Sequence, residues 1–189
     1  MPLQRFPGDV FSVSSAPPRS LCYVFAVLKL RQIVPPLGAR TTAGQIVRAW
    51  DFKQKKALLI AFLHADCTRC ARFVAQLRER ATELAEREAV ALVIFSEVPL
   101  AAMSDSLPKH VVMATDMSGQ AQHAFLGEEV FGPAGQQQIG VFVADRYGEL
   151  FAQWVGGDDA LPGVPEALSW LAQIQIACEE CGAPHWNLD

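Results

Sequence analysis

Two unbroken apolar runs constrain this chain more than any other feature. Ala57-Leu58-Leu59-Ile60-Ala61-Phe62-Leu63 and Val90-Ala91-Leu92-Val93-Ile94-Phe95 contain no polar residue. A strand with one wet face alternates apolar and polar side chains, so runs of this kind belong to strands covered on both faces. Between them, Phe73, Leu77, Ala81 and Leu84 recur at three- and four-residue steps, and Arg78, Glu79, Arg80, Glu83, Glu86 and Arg87 fall on the opposite face of an amphipathic helix. A parallel strand pair joined by a helix crosses over right-handed, which places the chain in the α/β class.

The remaining elements fit that frame. Gln45-Ile46-Val47-Arg48-Ala49-Trp50 alternates and predicts a strand or strand edge, and residues 53–56 a solvated turn. Residues 98–107 read as a short helix and 110–114 as a third, weaker strand. Residues 120–126 read as a helix, with Asp116 and Ser118 as capping candidates. A loop rich in Gly and Gln over 127–138 has the length of loops that carry function. A strand over 139–144, the turn Asp145-Arg146-Tyr147-Gly148 and a returning strand over 149–155 make an antiparallel hairpin. A last helix spans about 165–178, with Leu168, Leu171, Ile174 and Ala177/Cys178 facing inward. The expected architecture is a central mixed β-sheet flanked by helices over 44–177. A Pro- and Ser-rich extension, partly disordered, precedes it over 1–43, and a Cys-x-x-Cys tail follows over 178–189.

Composition narrows the function. Of 189 residues, 51% are hydrophobic and 19% charged, which supplies a sizeable core and argues against wholesale disorder. The net charge of −4 comes without a basic run, so no nucleic-acid partner is expected. The most apolar early segment, 21–30, contains Lys29 and is about half the roughly 20 residues a membrane-spanning helix needs. A short buried strand is expected there rather than a signal peptide, and no membrane association. Trp50, Trp154 and Trp170 read as core residues, His110 and His123 as structural, and Cys22 as a small buried hydrophobe.

Five cysteines are present, four of them in the pairs Cys67-Thr68-Arg69-Cys70 and Cys178-Glu179-Glu180-Cys181. A sparse, odd set in a chain of this size fits a reducing compartment, so a cytoplasmic location is expected. The first pair follows a buried strand and opens a helix. Unpaired backbone N–H groups and the positive end of the helix dipole there stabilise a thiolate at Cys67, the form that attacks disulfides. Cys70 lies one turn on, placed to resolve a mixed disulfide. Arg69 acts to lower the thiol pKa, Asp66 to raise it, and His64 is a candidate proton partner. Two buried structural cysteines, or half of a zinc site, are the rival readings of the same pair.

At these residues the chain resembles the thioredoxin superfamily. Phe62-Leu63-His64-Ala65-Asp66-Cys67-Thr68-Arg69-Cys70 looks like the thioredoxin active-site stretch. Residues 50–60, Thr115-Asp116-Met117-Ser118-Gly119-Gln120 and residues 141–150 look like the peroxiredoxin/AhpC-TSA (redoxin) or TlpA-like branch, so the likeness runs over about 44–177. The resemblance implies a thioredoxin-like fold and thiol–disulfide oxidoreductase or antioxidant activity at a redox-active centre, with Cys67 and Cys70 catalytic. No cofactor is required, and the partners are a protein or small-molecule disulfide or thiol substrate and a cellular reductant. A homodimer is compatible with it. There are departures. Thioredoxins carry a cis-proline before the hairpin strand, where Ile139 or Gly140 stands here, and Ala61 replaces their buried aspartate. Peroxiredoxins carry Pro-x-x-x-Thr/Ser-x-x-Cys. With Cys70 as the peroxidatic cysteine, Leu63 and Cys67 take the first two positions and Ile139 takes that of their arginine.

Two alternatives therefore stand beside the oxidoreductase: a peroxiredoxin-like thiol peroxidase, and a non-catalytic thioredoxin-fold binding module with a zinc-binding tail. The second cysteine pair has three open readings. It is a redox tail exchanging with Cys67 and Cys70, or a half zinc site at Cys178 and Cys181 completed by His185 or a second chain, or inert.

Overall fold

The computed structural model describes residues 28–97, 107–127 and 137–180. The expected N-terminal arm and almost all of the expected strand over 21–30 lie outside these residues. So do most of the helix over 98–107, most of the loop over 127–138, and everything from Cys181 onward.

The two apolar runs form the centre. β3 (Ala57–Leu63) and β4 (Ala89–Phe95) are buried at every position and pair in parallel, Ile60 opposite Leu92. β5 (Val111–Thr115) continues the parallel set beyond β4. β6 (Ile139–Ala144) runs antiparallel on the other flank of β3, and β7 (Leu150–Gly156) returns beside it. The turn between β6 and β7 is the expected one. The Asp145 carboxylate accepts from the N–H groups of Tyr147 and Glu149, both at 2.8 Å, and Gly148 takes φ +88°.

Two differences from the sequence expectation lie at the start. β1 (Gly38–Thr41) joins the sheet antiparallel to β5, and β2 (Ile46–Arg48) pairs with β1, giving the order β2-β1-β5-β4-β3-β6-β7. The sheet therefore takes in residues ahead of Gly44, and Leu28, Val34, Leu37 and Ala39 are buried in the core. The alternation over 45–50 also breaks early, because Ala49–Phe52 is a 3₁₀ turn closed by the Asp51 carboxylate accepting from Arg48 N–H at 2.8 Å. Trp50 is consequently not core: it is 53% exposed and packs under the Lys53 ammonium at 3.9 Å.

Side chains alternate across the sheet and split the core in two. On one face Leu59, Ala61, Leu63, Val93 and Val141 meet α1 (Thr68–Glu79), α2 (Ala81–Glu86) and α4 (Val164–Glu180) through Phe73, Leu77, Leu84, Leu168 and Leu171. On the other, Ile60, Phe62, Leu92, Ile94 and Phe142 meet α3 (Gln120–Leu126), where Phe62, Phe125 and Phe142 stack at 5.1–6.1 Å between ring centroids. The single helix expected after β3 is two, interrupted at Arg80, which caps both. Its apolar stripe is as expected: Phe73, Leu77 and Leu84 are buried. The α3 start is also as expected, with the buried Asp116 carboxylate accepting from Ala121 N–H at 2.7 Å and Gln122 N–H at 3.1 Å. Among the described residues no helix is long and apolar enough to cross a membrane.

Candidate active site

The site lies beyond the carboxyl ends of the parallel strands, the usual place for function in open α/β sheets. β3 ends at Leu63, and His64-Ala65-Asp66 carries the chain out of the sheet before α1 begins. Cys67 is the N-cap of α1, in an extended backbone conformation, and its Sγ accepts the Cys70 N–H at 3.3 Å. The sulfur thus takes the place of the oxygen that usually satisfies a free amide at a helix start.

The two cysteines are unequal. Cys67 is half-buried at the surface, whereas Cys70 is fully buried among the core residues of the α1 face. The Cys70 thiol is pushed from 9.0 up to about 12, first by burial and then by the hydrogen bond with the Cys67 side chain. The charges of Cys67 and Asp158 push the same way, and a hydrogen bond from the His64 backbone opposes them. The expected thiol pair is therefore present at the head of its helix, one member accessible and one sealed behind it.

Asp66 and Arg69 are exposed and line a cleft of about 670 Å³, together with Ser96, Glu97, Asp158 and Asp159. Sequence reasoning missed the last four. Ser96 and Glu97 follow β4, so they reach the cleft because β4 is the parallel neighbour of β3. Ser96 also binds Gln137, which leads into β6 and in turn donates to Gln122 at 3.1 Å. Asp158 opens the 3₁₀ turn Asp158–Ala160 after β7. A Cβ at Gly156 would stand 2.9 Å from the Ala160 Cβ, so the small residue permits this sharp return. The return brings Asp158 Oδ1 to 3.4 Å from His64 Nδ1. His64 Nε2 is buried and has no hydrogen-bond partner among the described residues. One donor atom each from His64, Cys70 and Asp158 lies within 4.8 Å of the others, a grouping able to hold a metal ion.

Of the other expected site residues, Cys181 and His185 lie outside the described residues. α4 extends to Glu180, so Cys178 stands within the helix rather than beyond it, and its side chain is likewise outside the described part. His110 is structural as expected, its Nδ1 3.2 Å from the Ala89 carbonyl oxygen. His123 is exposed on α3. Trp154 and Trp170 pack partly buried against the core.

Solved structures share this fold over most of the chain. A 2-Cys peroxiredoxin from Plasmodium vivax superposes with a TM-score of 0.63 at 16% identity, covering 78% of this chain and 97% of its own. The peroxidoxin BcpB from Mycobacterium tuberculosis gives 0.64 at 19% identity, covering 78% and 98%. The fold is thioredoxin-like. A putative thiol:disulfide interchange protein DsbE from Chlorobium tepidum shares this thioredoxin-like fold with a TM-score of 0.57 at 17% identity, covering 79% and 97%. A scan against protein-family models finds no match, and neither does a search of curated proteins. No proline opens β6: Ile139 and Gly140, both buried, are its first two residues, and Gln137 and Gln138 stand immediately before them.

Proposed function

We propose that the protein is a thiol–disulfide oxidoreductase in which Cys67 attacks and Cys70 resolves. The observation that carries this reading is the asymmetry of the pair: an accessible sulfur at the N-cap of α1, held by a backbone amide, with the second thiol buried one turn behind it. The Cys67 thiolate attacks a substrate disulfide and forms a mixed disulfide, and the departing substrate sulfur takes up a proton. Cys70 then attacks the Cys67 sulfur, forming the Cys67–Cys70 disulfide and releasing the second substrate thiol. The substrate gains two electrons and the protein loses two, which a dithiol reductant of a reducing, cytoplasmic compartment returns.

The order of events follows from the Cys70 environment. While Cys67 is free, the hydrogen bond and charge between the sulfurs help hold the Cys70 proton in place. Both influences end once Cys67 is joined to substrate, so Cys70 becomes easier to ionise at the step that needs its thiolate.

The test is insulin reduction with dithiothreitol by the parent and by Cys67→Ser, together with trapping by Cys70→Ser. Activity in the parent, none in Cys67→Ser, and an accumulating mixed disulfide in Cys70→Ser are expected. Equal turnover in the parent and Cys67→Ser would refute the reading. The fold shared with two peroxiredoxins favours a second reading, a thiol peroxidase. Leu63 and Cys67 stand where that chemistry has its proline and hydroxyl, which weighs against it. Peroxide consumption no faster than with dithiothreitol alone removes it.

A further inference from the structure

We propose that the reduced protein binds one zinc ion through His64, Cys70 and Asp158. The three residues arrive from separate elements: the loop after β3, the first turn of α1 and the 3₁₀ turn after β7. Each contributes a different donor, an imidazole nitrogen, a sulfur and a carboxylate oxygen, and the three donor atoms lie within 4.8 Å of one another. Zinc binds all three donor types at about 2.0–2.3 Å, which in a tetrahedron sets the donors roughly 3.3–3.8 Å apart, so the grouping closes on an ion by drawing its side chains together.

Hydrogen bonding alone leaves the cluster poorly satisfied. The His64 Nδ1 to Asp158 Oδ1 separation is 3.4 Å, long for a hydrogen bond, and His64 Nε2 has no partner among the described residues although it is buried. A buried nitrogen without a partner is costly, and an ion held through Nε2 would give that nitrogen its partner, whereas one held through Nδ1 would replace only the long contact to Asp158. The donor set also selects the ion. A sulfur with an imidazole favours zinc over magnesium or calcium, which prefer all-oxygen sites.

The surroundings attract a cation. Asp66, Glu97 and Asp159 line the same cleft as Asp158, with Arg69 as the positive residue among the described lining. Three protein donors with the fourth position left to solvent is the arrangement of an open zinc site. Cys67 lies beside Cys70, whose N–H its sulfur accepts at 3.3 Å.

Binding is tied to the redox state. Zinc displaces the Cys70 proton and takes the thiolate: Zn²⁺ and the thiol give the zinc-bound thiolate and H⁺. A Cys67–Cys70 disulfide has no thiolate to offer. The zinc-bound and disulfide states therefore exclude each other, and zinc is an inhibitor of any dithiol exchange at this pair. The metal site itself requires only reduced Cys70 and stands whether or not the protein reduces disulfides.

The test uses the full chain carrying Cys22→Ser, Cys178→Ser and Cys181→Ser, which removes every other thiol. Zinc is titrated against a chromophoric chelator, and cobalt(II) serves as an optical probe. The reduced protein is expected to take up one ion per chain, with a thiolate-to-cobalt charge-transfer band. Asp158→Asn and His64→Ala should each weaken zinc binding by about tenfold or more, and the disulfide form should not bind. Asp158 is half exposed, so its conservative replacement keeps the test valid if His64→Ala folds poorly. Absence of uptake by the reduced protein, or unchanged affinity in Asp158→Asn, overturns the site. Insulin reduction measured on the same metal-free samples separates the two proposals: uptake without turnover leaves the metal site standing, and turnover without uptake removes it.

Discussion

Alkaline unfolding reports directly on how Cys70 is held. In the unfolded chain its thiol ionises at the ordinary 9.0, and in the folded protein at about 12. The folded state therefore favours the neutral thiol. Its contribution is intact below about pH 9 and is lost as pH rises toward 12, because only the unfolded chain releases the proton over that window. The gap between 9.0 and about 12, taken in full, corresponds to roughly 4 kcal/mol. At about pH 11 the unfolded thiol is almost wholly ionised and the folded one still largely neutral, so roughly 3 kcal/mol is already gone. Urea titrations followed by tryptophan fluorescence at about pH 8 and about pH 11, with a reductant and a chelator present, measure it. Cys70→Ala supplies the reference, since groups remote from Cys70, such as the lysines and tyrosines, are common to both proteins and cancel in the difference. The parent should lose roughly 3 kcal/mol more than the variant between the two pH values. Parallel losses in the two proteins would show that the Cys70 thiolate is tolerated in place, and the account of its burial would fail.

Two further outcomes test the packing that carries the site. Gly140→Ala places a Cβ against Leu126 Cδ2 and 2.7 Å from a ring carbon of Phe142, so about 1–3 kcal/mol of stability should be lost; an unchanged urea midpoint would contradict the tight contact between β6 and α3. Asp116→Ala removes the acceptor of two backbone amides and of the Ser118 hydroxyl at 2.7 Å, which should cost about 1–3 kcal/mol; a thermal midpoint within error of the parent would show that α3 does not depend on this cap.

The elements read most directly from the sequence are those whose residues have one physical solution. Residues 57–63 and 89–95 hold no polar group that could face water, so only the middle of a sheet suits them, and every position in β3 and β4 is buried. The elements missed lack such a pattern. Gly38-Ala39-Arg40-Thr41 has one apolar residue with a side chain to bury, Ala39, and becomes a strand because the free edge of β5 accepts it. Residues 45–50 alternate over too short a span to outweigh the Asp51 cap that turns the chain into a 3₁₀ helix. Arg80 interrupts a helix whose apolar stripe passes through the break unaltered, because the stripe reports which face is buried and not whether the backbone is continuous.

The site divides along the same line. Cys67 and Cys70 are legible together because a short-range rule, strand then helix start, fixes their relation whatever the rest of the chain does. Asp158 is remote from His64 in sequence and meets it only because β7 returns through the hairpin and Gly156 admits a tight reversal. Nothing local in Gly156-Gly157-Asp158-Asp159 distinguishes that aspartate from one in an ordinary surface turn. The same long-range closure leaves His64 with a buried nitrogen that has no partner among the described residues, and gives the cleft its carboxylate rim. Local sequence thus specifies the sulfur at the helix start, while the fold decides what else surrounds the sulfur behind it. Substituting Asp158 should therefore alter metal binding and the ionisation of Cys70 while leaving the N-cap geometry of Cys67 in place.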